Sequence, residues 1–228
     1  MARSKLRIAL WLFLGLLLVV AIGAFALYMA SQRVPEFYGE ALEADPEVQR
    51  EGSDEMLQQA TALAGDVQRP GQWQALFTEE QINGWLAVDL PENHPDALPQ
   101  ALRDPRVAIT PEGISMGCRF RYGRFESVVS LALEPYLPEP NVLAVRVAGA
   151  RAGVVPMPLS DILDKITQAA ARLDFPVRWK QAEGDPVAEI TIPSPPKEHG
   201  TLVRIETLRL GDGEIYLAGT TERRPPED

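Results

Sequence analysis

The chain has 228 residues, 46% of them hydrophobic and 24% charged, with a formal net charge of −10. All 32 acidic residues but only 18 of the 22 basic ones follow residue 33, so this larger part carries a net charge of −14. Such a charge argues against nucleic-acid binding, because phosphate backbones are bound mainly through clustered cations.

A long apolar segment at residues 8–29 contains 22 residues without a charge. At about 1.5 Å rise per residue, a helix of this length crosses the roughly 30 Å hydrocarbon core of a bilayer. The pattern predicts a cytoplasmic stub at residues 1–7 and a transmembrane signal-anchor at residues 8–31. A cleaved signal peptide is the alternative, with a small-x-small site at Ala24-Phe25-Ala26, although the apolar run exceeds the usual length of about 7–15 residues.

The basic residues around this segment predict its orientation. Arg3, Lys5 and Arg7 precede it, and only Arg33 follows closely. By the positive-inside rule, the N-terminus is cytoplasmic and the remainder is extracytoplasmic. We therefore expect a single-pass protein of the cell membrane.

Residues 32–72 are predicted to form a helical stalk. Asp45 and Pro46 make a typical N-cap and first-turn pair, and apolar residues recur at helical spacing from Met56 onwards. Gly52-Ser53 would divide the stalk into two helices if it acts as a break, and Arg69-Pro70-Gly71 predicts its end.

A second helix is predicted after Thr78. Thr78 and Gln81 have the spacing of a capping box, and Ile82, Trp85 and Leu86 give one apolar face. Residues 91–105, rich in proline and polar residues, are predicted to form a loop.

From Arg106 the apolar pattern changes to a period of two, which is typical of strands. The alternating residues are Val107 and Ile109, then Ile114, Met116, Cys118, Phe120 and Tyr122, then Val129, Leu131 and Leu133, then Leu143, Val145 and Val147. Short turns favour an antiparallel meander. Ser160 caps a predicted amphipathic helix, and strands resume at residues 177–180, 187–192, 202–210 and 214–220, the last pair joined by Gly211-Asp212-Gly213.

These elements predict an α+β fold, in which the transmembrane helix is followed by one twisted antiparallel sheet with packed helices. The extracytoplasmic domain is placed at residues 73–221, and residues 222–228 are predicted to be a disordered tail.

No motif for catalysis or for a cofactor is present. His94 and His199 lie in loops beside Asp96 and Glu198, without the spacing of a metal site. The acidic pairs Asp161 and Asp164, Glu79 and Glu80, and Asp212 and Glu214 are explained by helix starts or a turn. Cys118, the only cysteine, is interpreted as a small apolar residue, and it excludes an intrachain disulfide. We predict no enzyme, no cofactor and no metal.

Apolar side chains remain as the candidate site. A groove between the Ser160 helix and the sheet would be lined by Trp85, Phe120, Tyr136, Ile162, Ile166, Ala169 and Trp179. Helical and strand periodicity explains the same residues as ordinary core, so both readings stay open.

The segment Leu76-Phe77-Thr78-Glu79-Glu80-Gln81-Ile82-Asn83-Gly84-Trp85-Leu86 resembles the L-T-E-x-x-(I/L)-N-x-x-L stretch of YpmS-like membrane-anchored proteins. Similar stretches occur in domains related to tubular lipid-binding (TULIP-like) proteins. The resemblance covers about eleven residues and implies a curved sheet around a long helix, with a role in holding or moving lipid. It brings no catalytic residues.

The sequence leads to two functional hypotheses. The first is a membrane-anchored extracytoplasmic binding or accessory domain, whose ligand is a lipid or another apolar molecule. The alternative is an interaction or scaffold module of an envelope complex, with a protein partner and no small ligand.

Overall fold

The computed structural model describes residues 2–123, 125–160, 163–164, 167, 177–182, 184–193 and 201–224. Its helices are α1 (Ala2–Ser31), α2 (Glu36–Leu42), α3 (Pro46–Val67), α4 (Glu79–Ala87) and α5 (Asp89–Asn93). Its strands are β1 (Gly71–Thr78), β2 (Leu102–Thr110), β3 (Gly113–Tyr122), β4 (Phe125–Glu139), β5 (Val142–Ala152), β6 (Val155–Pro156), β7 (Val177–Ala182), β8 (Asp185–Thr191), β9 (Thr201–Leu210) and β10 (Glu214–Arg223).

The predicted α+β class is confirmed, but the strands form two sheets and not one. The small sheet has the order β1-β10-β9, and the large sheet has the order β2-β3-β4-β5-β8-β7, with β6 added beside β5. Every pairing is antiparallel.

Asn141, in the turn between β4 and β5, joins the two sheets. Its φ of 62° is the left-handed conformation that asparagine tolerates. Its side-chain oxygen accepts from the Ile205 N–H at 2.6 Å, and its amide donates to the Val203 carbonyl at 2.8 Å. Its backbone N–H also donates to the Ile205 carbonyl at 3.2 Å, so the backbone and the side chain of Asn141 together connect the two sheets.

Strand β1 was not expected from the sequence. Trp73, Ala75 and Phe77 alternate toward the core and are all buried, which is the period-two pattern of a half-buried strand. The strand leads directly into the capping box of α4, where Thr78 accepts from the Gln81 N–H and Gln81 accepts from the Thr78 N–H. That capping box is confirmed.

Helices α2 and α3 occupy the segment predicted as a stalk, and both pack on the rest of the protein. Tyr38 of α2 is fully buried, and its hydroxyl donates to the Asp104 carbonyl at 2.7 Å. Asp45 caps α3 as predicted, accepting from the Glu47 N–H at 2.8 Å. The break considered at Gly52-Ser53 is wrong, because α3 continues through both residues and buries them against α4.

The predicted loop at residues 91–105 is also too long. Helix α5 occupies its beginning, and β2 starts at Leu102 and continues through a bulge between Arg103 and Arg106. A proline at an edge strand or a bulge needs no ladder partner for its missing N–H, so Pro105 does not prevent the strand. At the other end, β10 extends to Arg223 because Arg223 pairs with Thr201.

Candidate functional site

The end of α1 is attached to one end of the large sheet. The Val154 N–H donates to the Ala30 carbonyl at 3.2 Å, and the buried Ser127 hydroxyl donates to the Ser31 carbonyl at 2.6 Å. Gly153 has a φ of 57°, and a Cβ there would lie 2.6 Å from the carbonyl oxygens of Ala30 and Ser31. Only glycine therefore allows this close approach.

Aromatic packing strengthens the same attachment. The rings of Tyr28 and Phe125 lie 6.5 Å apart in a tilted arrangement. Beside them, Tyr122 at the end of β3 is 77% exposed, and Val154 is also exposed. We call this region, where α1 meets the β3–β4 and β5–β6 turns, the α1 end of the large sheet.

One face of the large sheet is apolar but incompletely covered. Directly paired residues share a face, so Ile114 lies beside Leu133, Met116 beside Leu131, and Cys118 beside Val129. Phe120 and Tyr122 continue the row on β3 toward the α1 end. None of these residues falls among the buried core, and Met116 is 36% exposed. We call these eight residues of β3 and β4 the apolar face.

On the opposite face of the same strands, α2 covers the surroundings of Gly117. A Cβ added to Gly117 would lie 2.7 Å from the Tyr38 ring, so the glycine makes room for it. Burial, helped by Asp104, raises the pKa of the Tyr38 hydroxyl to about 12. The rest of this face carries charged side chains such as Arg121 and Glu126, so the two faces differ in polarity as well as in cover.

A cleft of about 1050 Å³ lies at the edge of the large sheet, between α5, the following loop and the start of β2. Residues that line it include Leu86, Leu90, His94, Leu102, Arg103 and Arg106. Trp85 lies nearby, with its ring 6.0 Å from that of His94. The cleft therefore combines aliphatic walls with cationic side chains.

Arg106 is the buried cation of this cleft. It is 6% exposed, and it donates from Nη1 to the Pro105 carbonyl at 2.7 Å and from Nε to the Ala41 carbonyl at 3.3 Å. Burial lowers the pKa of its guanidinium. Within the described residues it forms no ion pair, and neither does the exposed Arg103.

The acidic neighbours of the cleft are mostly engaged elsewhere. The Asp104 carboxylate pairs with Arg119 at 3.4 Å. Asp89 accepts from the Asn93 amide at 2.6 Å and lies 3.8 Å from His94 Nε2. Asp96 lines the cleft without an ion pair in the described part of the chain.

The segment that resembles the YpmS-like stretch has a structural role here. Asn83 donates to the Val107 carbonyl at 2.8 Å and accepts from the Val107 N–H at 2.9 Å, while Glu79 accepts from the Ile109 N–H at 2.7 Å. The Gly213 N–H donates to the Ile109 carbonyl at 3.0 Å, so this backbone group of β2 also has a partner. These groups cover the outer edge of β2, which would otherwise expose unpaired backbone groups.

A second cleft of about 630 Å³ lies between α2, α3 and α4. Glu79, Asn83 and Gly213, which line it, are the groups that hold the β2 edge. Their polar atoms are thus used in the fold.

The predicted groove residues do not all lie together. The rows of cross-strand partners place Phe120 and Trp179 on one face of the large sheet and Tyr136 on the other. The row of cross-strand partners that contains Phe120 crosses β4 eight residues from the row that contains Trp179. At the rise of a strand, the two rows are roughly 26 Å apart. The Trp179 indole donates to the Thr167 hydroxyl at 2.7 Å. Ile162, Ile166 and Ala169 lie outside the described residues.

The described residues hold no group of three His, Cys, Asp or Glu side chains that could bind a metal. His199, Glu198 and Asp161 lie outside them. Burial, followed by the charge of Asp104, raises the pKa of the Cys118 thiol to about 11, which makes it a weak nucleophile at neutral pH.

Sequence reasoning missed the two arginines of the cleft because it assigned their surroundings to a loop. No pattern in Arg103-Asp104-Pro105-Arg106 indicates that the last side chain is buried. Its partner Ala41 is 65 residues away in the chain, and only the packing of α2 brings the two together.

The comparisons with known proteins return no match to a family model, to a curated protein or to a solved structure. The resemblance to YpmS-like and TULIP-like proteins therefore stays a prediction. The class that the fold defines is an α+β protein with an N-terminal helix, in which Phe13–Ser31 is long and apolar enough to cross a membrane.

Proposed function

We propose that this protein is a membrane-anchored extracytoplasmic domain that binds a lipid or a similar amphiphile along the apolar face. The observation that carries the proposal is the half-open row of apolar side chains on β3 and β4, which begins where α1 ends. An exposed apolar surface of this extent is unfavourable in water unless a ligand or partner covers it.

The geometry suits a ligand that comes from the membrane. If α1 spans the bilayer, its last turn holds the α1 end of the large sheet next to the lipid headgroups. Exposed Tyr122 would then lie in the interface, where aromatic side chains are favoured. From there, β3 leads away from the membrane, and Met116 lies six residues, or about 20 Å, beyond Tyr122.

The test is photo-crosslinking of the full chain in its native membrane. A benzophenone amino acid replaces Met116 in one variant and Leu76 of β1 in a control variant. The two positions are matched, since both are apolar strand residues with 36% and 41% exposure. We expect a lipid adduct, identified by mass, at position 116 and none at position 76.

Labelling at position 116 distinguishes a bound lipid from lipids of the bilayer, because this position lies about 20 Å from the α1 end. Adducts to a protein at position 116, without lipid, would refute the proposal and favour the alternative scaffold function. Equal lipid labelling at both positions would also contradict it, because it would indicate random contact with the membrane.

A further inference from the structure

The cleft between α5 and β2 concentrates unpaired positive charge in a strongly acidic domain. The neighbouring arginines of β3 are paired, Arg119 with Asp104 and Arg121 with Glu126. Arg103 and Arg106 line the cleft without an ion pair among the described residues, against one unpaired carboxylate, that of Asp96.

Arg106 is held in position for a ligand. Among the described residues its guanidinium donates to two backbone carbonyls, that of Pro105 in its own strand and that of Ala41 in α2. A guanidinium has five N–H donors, so donors remain for another acceptor. Burying the guanidinium is costly, and the Asp104 carboxylate, which offsets part of this cost, is in direct contact with Arg119 instead. A tetrahedral oxyanion would offset the remainder through charge-assisted hydrogen bonds.

The cleft also connects to the apolar face. Leu102, which lines the cleft, is the direct cross-strand partner of Phe120 and shares the apolar face with it. Arg103 and Arg106 pair with Arg119 and Gly117, so they belong to the opposite face, and the cleft is lined from both faces because β2 is the edge strand. Phe120 is two residues from Tyr122 at the α1 end. A group held by the arginines could therefore carry a hydrocarbon chain that passes around the β2 edge at Leu102 and onto the apolar face.

We infer that the cleft binds a phosphate group through Arg103 and Arg106, and, resting on the proposed function, that this is the phosphate of a phospholipid whose chain lies on the apolar face. Free inorganic phosphate has the same chemistry and is distinguished by the test. The site then selects lipids by headgroup, which an apolar surface alone cannot do.

The test uses the full chain in a maltoside detergent and native mass spectrometry. Dioleoylphosphatidylglycerol is titrated against dioleoylglycerol, which has the same chains and no phosphate. The variants are Arg103→Gln and Arg106→Lys. Arg178→Gln is the control, because Arg178 is an exposed arginine of β7, at the opposite edge of the large sheet, with no ion pair to the residues that the structure describes. Thermal unfolding with and without inorganic phosphate is measured in parallel.

We expect the phospholipid to bind the wild type about tenfold more tightly than the diacylglycerol, as the loss of a charge-assisted hydrogen bond implies. Arg103→Gln should remove most of this preference, and Arg178→Gln should keep it. Arg106→Lys retains the positive charge but loses the planar guanidinium, which can donate two parallel hydrogen bonds to a phosphate. It should therefore weaken phospholipid binding and leave diacylglycerol binding unchanged. Because Arg103 is exposed, its variant keeps the test valid even if Arg106→Lys impairs folding.

Equal binding of both lipids, unaffected by either arginine, would overturn the phosphate site and leave the proposed lipid function standing. If no lipid binds but phosphate raises the melting temperature in an Arg103-dependent way, the site takes a free phosphate and the lipid function fails. If neither lipid nor phosphate binds, both inferences are overturned.

Discussion

The crossing of α3 and α4 allows a prediction with an internal control. At Gly52, an added Cβ would lie 2.7 Å from the Glu80 carbonyl oxygen and 3.2 Å from its carbonyl carbon. Both obstacles are backbone atoms of α4, so no side-chain rotation can relieve them. At Gly65, in the same helix α3, an added Cβ meets nothing within 4 Å.

The two alanine substitutions should therefore have opposite signs. Alanine is better than glycine inside a helix by roughly 0.5–1 kcal/mol, and Gly65→Ala should gain up to this amount. Overpacking costs about 1–3 kcal/mol, so Gly52→Ala should lose about 1–2 kcal/mol in net stability. At roughly 2–4 °C per kcal/mol for a domain of this size, the melting temperatures should differ by several degrees.

The assay is thermal unfolding of the full chain in detergent, followed by circular dichroism. Gly84→Ala provides the reciprocal variant, because its Cβ would lie 2.5 Å from the Gln49 carbonyl oxygen. Neighbouring Asn83 binds the edge of β2, so a displaced α4 should also disturb that edge. The reasoning would be refuted if Gly52→Ala melted at or above the temperature of the wild type.

Two further predictions follow from polar and titratable groups. Asn83→Asp removes the donor to the Val107 carbonyl and should lower the free energy of unfolding by about 1–3 kcal/mol. Amide hydrogen exchange should then accelerate at Val107 and Ile109. Unchanged protection of these two amides would contradict the role of Asn83. The Cys118 thiol, with its pKa raised from 9.0 to about 11, should react slowly with a disulfide reagent at pH 8 until the protein is unfolded. Because the unfolded thiol ionises first, its contribution to stability is complete below pH 9 and is lost as the pH rises toward 11. Cys118→Ala should lose less stability than the wild type over that range in alkaline unfolding scans, and identical scans would exclude the assigned burial.

Local patterns were sufficient for the elements that depend on near neighbours. The apolar helix, the caps at Asp45 and Thr78, and the Gly211-Asp212-Gly213 hairpin each depend on residues within a few positions. Their physical causes are hydrophobic length, orphan helix N–H groups and turn conformation. The α+β class followed from the change of period along the chain.

Long-range contacts decided the remainder. Strand β1 pairs with β10, and its Gly71 lies opposite Thr221, about 150 residues later in the chain. The residues around β1 contain no pattern that predicts this partner. Gly52 does not break α3 because α4 needs the space above it. The contact between the two sheets uses Asn141, whose partners on β9 lie more than 60 residues away in the chain.

The candidate sites show the same division. Alternation alone predicted that Ile114, Met116, Cys118, Phe120 and Tyr122 share a face, because successive strand residues point to opposite sides. Only the tertiary structure showed that this face is half open and that Tyr38 packs on the other face at Gly117. Likewise, Arg106 becomes a buried cation beside a cleft only because α2 folds back over β2. A sequence determines which side chains can be adjacent through local geometry, whereas burial and charge pairing are properties of segments that meet only after folding.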